Sequence, residues 1–217
     1  MTAITFDNIG FIRKKIPDKL FQSLKEECSY VENLRSNNID DPNYYFETNI
    51  ESNNQTKHYS LKTNTHLLKE YLLGIVREYN EAFPTYIYNI RVLNTNVPWT
   101  ITDPWINVQS KGEFLPLHEH GGVYSYSIWI KIPYSYEDEN SASKHTYTPH
   151  NGAFEFIYAN SLGHMSSKII PLSSEDEGYL IMFPSKMNHI VYPFFKANGY
   201  KISISGNIIL DTSLYGN

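Results

Sequence analysis

Cysteine is nearly missing from this chain: Cys28 is the one thiol in 217 residues. No internal disulfide can form and no zinc site can be built on cysteines. A reducing compartment is therefore expected, with the cytoplasm the natural one. A basic excess is missing too. Eighteen Lys and Arg stand against 23 Asp and Glu, a formal net charge of −5, which argues against a general nucleic-acid binder with its basic face. Long apolar runs are absent. No stretch approaches the roughly 20 residues that span a bilayer, and Met1 to Lys15 mixes Asp, Asn, Arg and Lys where a secretion signal would carry an apolar core. Without such a signal, the sequon Asn54-Gln55-Thr56 is a pattern only.

What is plentiful is aromatic: 15% Phe, Trp and Tyr, including 18 tyrosines, within a hydrophobic content of 41%. That composition suits a folded core. The length favours one domain over 1–217, with residues 1–84 as a helical support region and 85–217 as a jelly-roll core. Phe6 to Lys15 reads as an opening strand. Pro17 and Asp18 read as a helix start, followed by Leu20, Leu24, Cys28, Val31 and Leu34 at helical spacing. Ser36 to Lys57, rich in Asn, Asp and Ser, reads as loop. Thr65 is the expected cap of a second helix that carries Leu68, Leu72, Ile75, Tyr79 and Phe83 and is closed by Pro84.

From Thr85 the texture changes to short aromatic and β-branched runs separated by Gly, Pro, Asn and Ser. The expected strands are Tyr86–Leu93, Trp99–Ile101, Trp105–Gln109, Tyr124–Ile132, Ala153–Tyr158, Lys168–Leu172, Gly178–Phe183, His189–Pro193 and Lys201–Leu210. The class implied is mainly β with N-terminal helices: two packed sheets or a jelly roll, with the two helices covering the outer face of one sheet. Tyr134 to Pro149 is a long polar excursion, expected as a hairpin extension that lids a site.

The chemistry-bearing stretch is Pro116-Leu117-His118-Glu119-His120, answered by Phe183-Pro184-Ser185-Lys186-Met187-Asn188-His189. On a strand, residues i and i+2 share a face, so His118 and His120 look inward while Glu119 looks away. His189 follows a buried-looking strand and a turn, a place from which a third imidazole can reach the barrel mouth. Three imidazoles on one side of an ion leave the opposite positions open. They suit iron, zinc, copper and nickel alike, so the ligand set does not choose the metal. His58, His66, His145, His150 and His164 stand in polar or loop surroundings and read as non-ligands. Lys201 stands beside Ile202, Ile204 and Ile208, where an unpaired ammonium is costly. With Ser203 on the same face, it can hold the carboxylate of a small ligand.

In their order along the chain, Trp105-Ile106-Asn107-Val108, Lys111 to His120, Ser125 to Ile132, Gly178 to His189 and Lys201 to Asn207 resemble the iron(II)- and 2-oxoglutarate-dependent oxygenases. The nearest likeness is to the small prolyl-hydroxylase-like oxygenases of marine bacteria and phages. The stretch from Ile9 through Leu24 also looks like that family's opening strand and helix. The resemblance implies a double-stranded β-helix, a cupin-like barrel, with Fe(II) and 2-oxoglutarate as cofactors and His118, His120 and His189 as metal ligands and catalytic centre. It puts Lys201 and Ser203 on the far carboxylate of 2-oxoglutarate, and Asn107 and Trp129 along the co-substrate pocket. The implied reaction couples conversion of 2-oxoglutarate to succinate with hydroxylation of a small-molecule or peptide substrate. The resemblance departs at His120, which stands where the family pattern has Asp or Glu. Neither a membrane nor nucleic acid is an expected partner, and a homodimer stays open.

Two other readings share parts of this pattern. A cupin would use the same barrel and histidines with iron, zinc or manganese and no 2-oxoglutarate, and would have no need of Lys201. An inactive barrel serving as a binding or structural module would show neither metal nor co-substrate.

Overall fold

The computed structural model describes residues 9–46, 56–89, 97–141 and 149–213. Eleven strands and four helices are formed there: β1 (Ile12–Lys15), α1 (Asp18–Ser36), β2 (Lys57–Ser60), α2 (Thr65–Ala82), α3 (Pro84–Asn89), β3 (Trp99–Ile101), β4 (Trp105–Gln109), β5 (Leu115–His118), β6 (Tyr124–Lys131), α4 (Tyr136–Asn140), β7 (Phe154–Ala159), β8 (Met165–Ile170), β9 (Tyr179–Pro184), β10 (Asn188–Val191) and β11 (Lys201–Leu210). Every pairing is antiparallel. The larger sheet runs β1-β9-β6-β11-β4-β2, with β3 also on β11, and the smaller runs β5-β10-β7-β8.

Period-two alternation builds both faces of the larger sheet. Ile106 and Val108 of β4, Tyr126 and Ile128 of β6, Leu180 and Met182 of β9, and Ile202 and Ile204 of β11 share one core with Leu24, Cys28 and Val31 of α1 and Leu68, Leu72 and Ile75 of α2. The two helices thus cover the outer face of this sheet. Burying each such Leu or Ile contributes about 1.5–3 kcal/mol. The intervening residues look inward, where Trp129, Ile181 and Phe183 meet Phe154 and Phe156 of β7 in a second core. Glu27 of α1 is buried and accepts from the backbone N–H groups of Lys62 and Thr63 at 2.6 and 2.9 Å, which fixes the entry of α2 against α1.

Several expectations need correction. Lys57–Ser60 is a strand that begins on the last residue of the expected 36–57 loop, so the N-terminal region supplies both edges of the larger sheet, β1 and β2, as well as helices. Tyr45 bridges Tyr59 and covers part of the β2 edge. Tyr86–Asn89 is helical rather than extended, and 90–96 lie outside the described residues. Pro84 presets the first helical φ. Tyr86 then packs on Tyr79 and Tyr124 and donates its hydroxyl to Val123 O at 3.0 Å, so its aromatic character serves this packing and not a sheet. The residue capping α2 is Asn64, in the left-handed region at φ 56°, and Thr65 is already helical. The expected Lys168–Leu172 strand begins earlier, at Met165.

The polar excursion starts as α4, whose buried Glu139 accepts from the N–H groups of Phe195, Lys196 and Ala197 at 2.8 Å. That anchors α4 to the loop before β11, and its residues do not line the main cavity. Residues 142–148 lie outside the described residues. Among the described residues, no helix is long and apolar enough to cross a membrane.

Gly206 sits opposite Tyr126 across β11 and β6, and a Cβ there would run into the tyrosine ring. Gly206→Ala is expected to cost about 1–3 kcal/mol, lowering the melting temperature by roughly 2–4 °C per kcal/mol in a chain of this size. Gly74→Ala in α2, where a Cβ meets nothing within 4 Å, is expected to move it upward through helix propensity. Thermal unfolding of the two variants should show these opposite signs.

Candidate metal centre and co-substrate pocket

His118 and His189 are direct cross-strand partners on β5 and β10, so their side chains leave the sheet on one side. The ring centroids lie 4.1 Å apart. His120 lies just past β5, where its N–H donates to Ser185 O at 2.9 Å and ties it to the turn between β9 and β10. Its ring stands 4.9 Å from that of His118 and 5.0 Å from that of His189. Gly122, at φ 92°, then turns the chain back toward β6. One ring nitrogen from each of the three histidines falls within 4.8 Å of the others. Nitrogens sharing an ion at about 2.0–2.1 Å sit roughly 3 Å apart, so small ring rotations close the group on a cation. Glu119 stays out of the cluster and pairs with Lys186 at 2.6 Å.

The surroundings set the protonation of these rings. His118 Nδ1 faces Pro116 O at 2.6 Å, and His189 Nδ1 faces Met187 O at 3.0 Å. A carbonyl only accepts, so each Nδ1 carries the proton and each Nε2 keeps a free lone pair. His189 is 3% exposed, stacked on Phe154 at 5.1 Å with Phe183 edge-on at 5.0 Å. Burial, then the neighbouring His118, pushes its pKa down to about 2. Burial and the neighbouring histidines bring His120 to about 4, and burial lowers His118 as well. All three rings are neutral near pH 7, the form that binds metal.

The cluster opens on a cavity of about 1090 Å³ that also takes in Lys201, Ser203, Asn107 and Trp129. Registers Lys201↔Gln109, Ser203↔Asn107 and Ser203↔Trp129 put these residues side by side on the inward face of the larger sheet. Asn107 Nδ2 donates to Ser203 Oγ at 3.1 Å and Ser205 Oγ at 2.9 Å, and its Oδ1 accepts from Trp105 Nε1 at 3.1 Å. Lys201 is 3% exposed, and its Nζ has no hydrogen-bond partner among the described residues. Burial alone brings its pKa down to about 7. An unpaired ammonium beside the hydrogen-bonded Asn107, Ser203 and Ser205 is a group that an anion would satisfy.

A family profile described as "Putative 2OG-Fe(II) oxygenase" matches residues 103–207, a span that holds all seven of these residues. Over that span, just under half of its length, the chain is similar to this family. The 2OG-Fe(II) oxygenases are oxidoreductases that draw on Fe(II) and 2-oxoglutarate, and the donors here fit both: neutral imidazoles for the ion, a free ammonium for a carboxylate. Solved structures of like fold include a prolyl-4-hydroxylase of Pseudomonas putida (13% identity, TM-score 0.52, 93% of each chain covered). Another is a Trichoplax adhaerens prolyl hydroxylase in complex with a peptide fragment of hypoxia inducible factor (13%, 0.55, 96% of this chain and 88% of that one). A third is HygX of Streptomyces hygroscopicus with nickel and 2-oxoglutarate bound (12%, 0.50, 94% and 83%). Such identities establish the shared fold, a double-stranded β-helix. No curated protein matches the sequence.

Sequence reasoning missed one wall of this cavity. Thr56, His58 and Phe46 line it, together with residues around Asp40 and Asp41. His58 is on β2 opposite Asn107, not in a polar loop, and burial brings its pKa down to about 4. The alternation Lys57-His58-Tyr59-Ser60 was the available signal, but four residues beside a polar tract do not stand out as a strand.

Lys201→Met is expected to stabilise the ligand-free protein near pH 7. The folded pKa of Lys201, about 7, is below its unfolded value, so the unfolded chain binds the extra proton between pH 7 and about 10.4. Stability of the parent therefore rises with pH across that window, by up to about 1.36 kcal/mol per pH unit. The gap to Lys201→Met should shrink as pH increases, which urea unfolding at pH 7, 8 and 9 would reveal.

Proposed function

We propose that this chain is an Fe(II)/2-oxoglutarate-dependent dioxygenase that hydroxylates a small-molecule or peptide substrate in a reducing, cytoplasmic setting, acting as one domain over 1–217. His118, His120 and His189 hold the metal through Nε2. Lys201 clamps the far carboxylate of 2-oxoglutarate, Ser203 and Asn107 complete its polar surround, and Trp129 walls the pocket. The observation that carries this reading is the unpartnered, buried Lys201 ammonium in the same cavity as three converging imidazoles. A cupin-type metalloprotein gives that ammonium no task. A peptide substrate is supported by the Trichoplax adhaerens relative, which was solved with one.

When bound, iron and 2-oxoglutarate supply the oxidising chemistry: dioxygen is consumed, the co-substrate loses carbon dioxide to become succinate, and the substrate gains a hydroxyl. The chain's own work is placement. The carbonyl-bound Nδ1 protons of His118 and His189 hold those rings in one tautomer. The Phe154 and Phe183 rings keep water from His189. Lys201, charged once a carboxylate arrives, fixes the tail of the co-substrate and so the direction of its other end. At about 1090 Å³ the cavity is at the upper end of the roughly 300–1,000 Å³ of small-ligand sites, which accommodates a second small molecule beside 2-oxoglutarate.

Anaerobic addition of Fe(II) and then 2-oxoglutarate is expected to raise a visible metal-to-ligand charge-transfer band. His189→Ala should abolish it. Lys201→Ala should weaken 2-oxoglutarate binding by at least about 30-fold, the equivalent of roughly 2 kcal/mol for truncating one partner of a buried charge pair. Bound iron with no band in the parent protein would overturn the oxygenase reading in favour of a metal site without 2-oxoglutarate.

A further inference from the structure

Thr56 and His58 stand two residues apart at the start of the edge strand β2, and both line the cavity. Thr56 Oγ1 and His58 Nε2 are buried and have no hydrogen-bond partner among the described residues. Two unpaired polar atoms on one strand face are costly to a free protein, and a ligand that pairs with them removes that cost.

Their place sets them apart from Lys201, the anchor of the co-substrate, with Asn107 standing between. His58 is opposite Asn107, which is opposite Ser203, so His58 lies two strands from β11, about 10 Å at the usual strand spacing. A dianion anchored on Lys201 and directed at the three imidazoles leaves that side of the cavity unfilled. Beside His58 stands Phe46, with ring centroids 5.8 Å apart, and Phe46 is 5.7 Å from Trp105, which reaches His120 at 5.8 Å. An apolar aromatic wall thus joins the unpaired atoms to the metal ligands.

The donor chemistry narrows the ligand. No carboxylate pairs with His58 among the described residues. A neutral imidazole and a hydroxyl each donate or accept, which matches a hydroxyl or a carboxamide. Asp40 and Asp41, on the same side of the cavity, disfavour a second anion. A metal charge and Lys201 disfavour a cation.

We propose that Thr56 and His58 form the polar recognition strip for the primary substrate, and that this substrate is an uncharged molecule carrying a hydroxyl or carboxamide on a carbon skeleton that packs against Phe46 and Trp105. The proposal rests on the oxygenase reading and narrows its substrate class.

Four probes on one ring test it: cyclohexanol, cyclohexanecarboxamide, cyclohexanecarboxylate and cyclohexylamine. Each is titrated by ligand-observed NMR into the zinc-loaded protein with and without 2-oxoglutarate, and soaked into crystals. The alcohol and the amide should bind within hydrogen-bond distance of Thr56 Oγ1 or His58 Nε2. The double variant Thr56→Val/His58→Phe should lose about tenfold or more of that affinity, with 2-oxoglutarate binding retained and the melting temperature not lowered. Preference for the carboxylate or the amine, binding of no probe, parallel loss of 2-oxoglutarate binding, or a destabilised double variant would each overturn the proposal. Failure of the parent protein to bind 2-oxoglutarate would instead strike the oxygenase reading, while the probe titrations without 2-oxoglutarate still report on the strip.

Discussion

The two-faced character of β11 is the constraint on which the rest of this structure depends. Ile202, Ile204 and Ile208 lock into the helix-backed core, and that commits Lys201, Ser203 and Ser205 to the barrel interior. A one-residue slip would drive the ammonium into the aliphatic layer and the isoleucines into the cavity. Register on β11 is therefore held by both solvation and packing, and β4 and β6 read their own registers from it. The helices serve the site only through this sheet: by burying its outer face they fix which side of each strand is left to face the ligand.

The smaller sheet meets a different demand. It has to bring His118 and His189 close without letting them become charged. Direct pairing across β5 and β10 supplies the closeness. Burial against Phe154 and Phe183 and the two backbone carbonyls supply the neutrality and the orientation. In the ligand-free protein this arrangement keeps three lone pairs facing one another in a poorly solvated place, and a cation relieves that strain on solvation. The two sheets thus present complementary defects, excess lone pairs on one side and an unpaired ammonium on the other, across one cavity.

How much of this could be read from the sequence follows from how local each signal is. His118 and His120 are two apart in sequence, at the end of β5 and just past it, and Lys201 interrupts an isoleucine-rich run, so both features show within a few residues. The helical stripes of α1 and α2 and most strands of the barrel declare themselves in the same way. Tyr86 does not: Tyr-Ile-Tyr has strand composition, and only the Tyr79 and Tyr124 rings it packs against make a helix the better use of it. β2 is hidden for the opposite reason. Lys57-His58-Tyr59-Ser60 has too little apolar character to suggest a strand, and it becomes one because the edge of β4 offers it unpaired backbone groups. The cavity wall built on β2 was illegible with it.

His120 changes the charge of the site more than its shape. With iron and 2-oxoglutarate bound as proposed, a divalent ion, the Lys201 ammonium and the 2-oxoglutarate dianion would sum to +1 over three neutral imidazoles, where a carboxylate at the His120 position would bring the sum to zero. In a poorly solvated cavity that residual charge interacts strongly with whatever lies within a few ångströms. The carboxylates that line the cavity are Glu119, already paired with Lys186, and Asp40 and Asp41 on the segment before β2. Asp41 accepts from the Asn43 backbone N–H, and also from Tyr30 and the Asn43 side chain, which hold its carboxyl below the usual range. The segment that covers the edge of β2 thus also brings negative charge to a cavity whose three clustered histidines carry none, which ties the wall missing from the sequence reading to the one residue that departs from the family pattern.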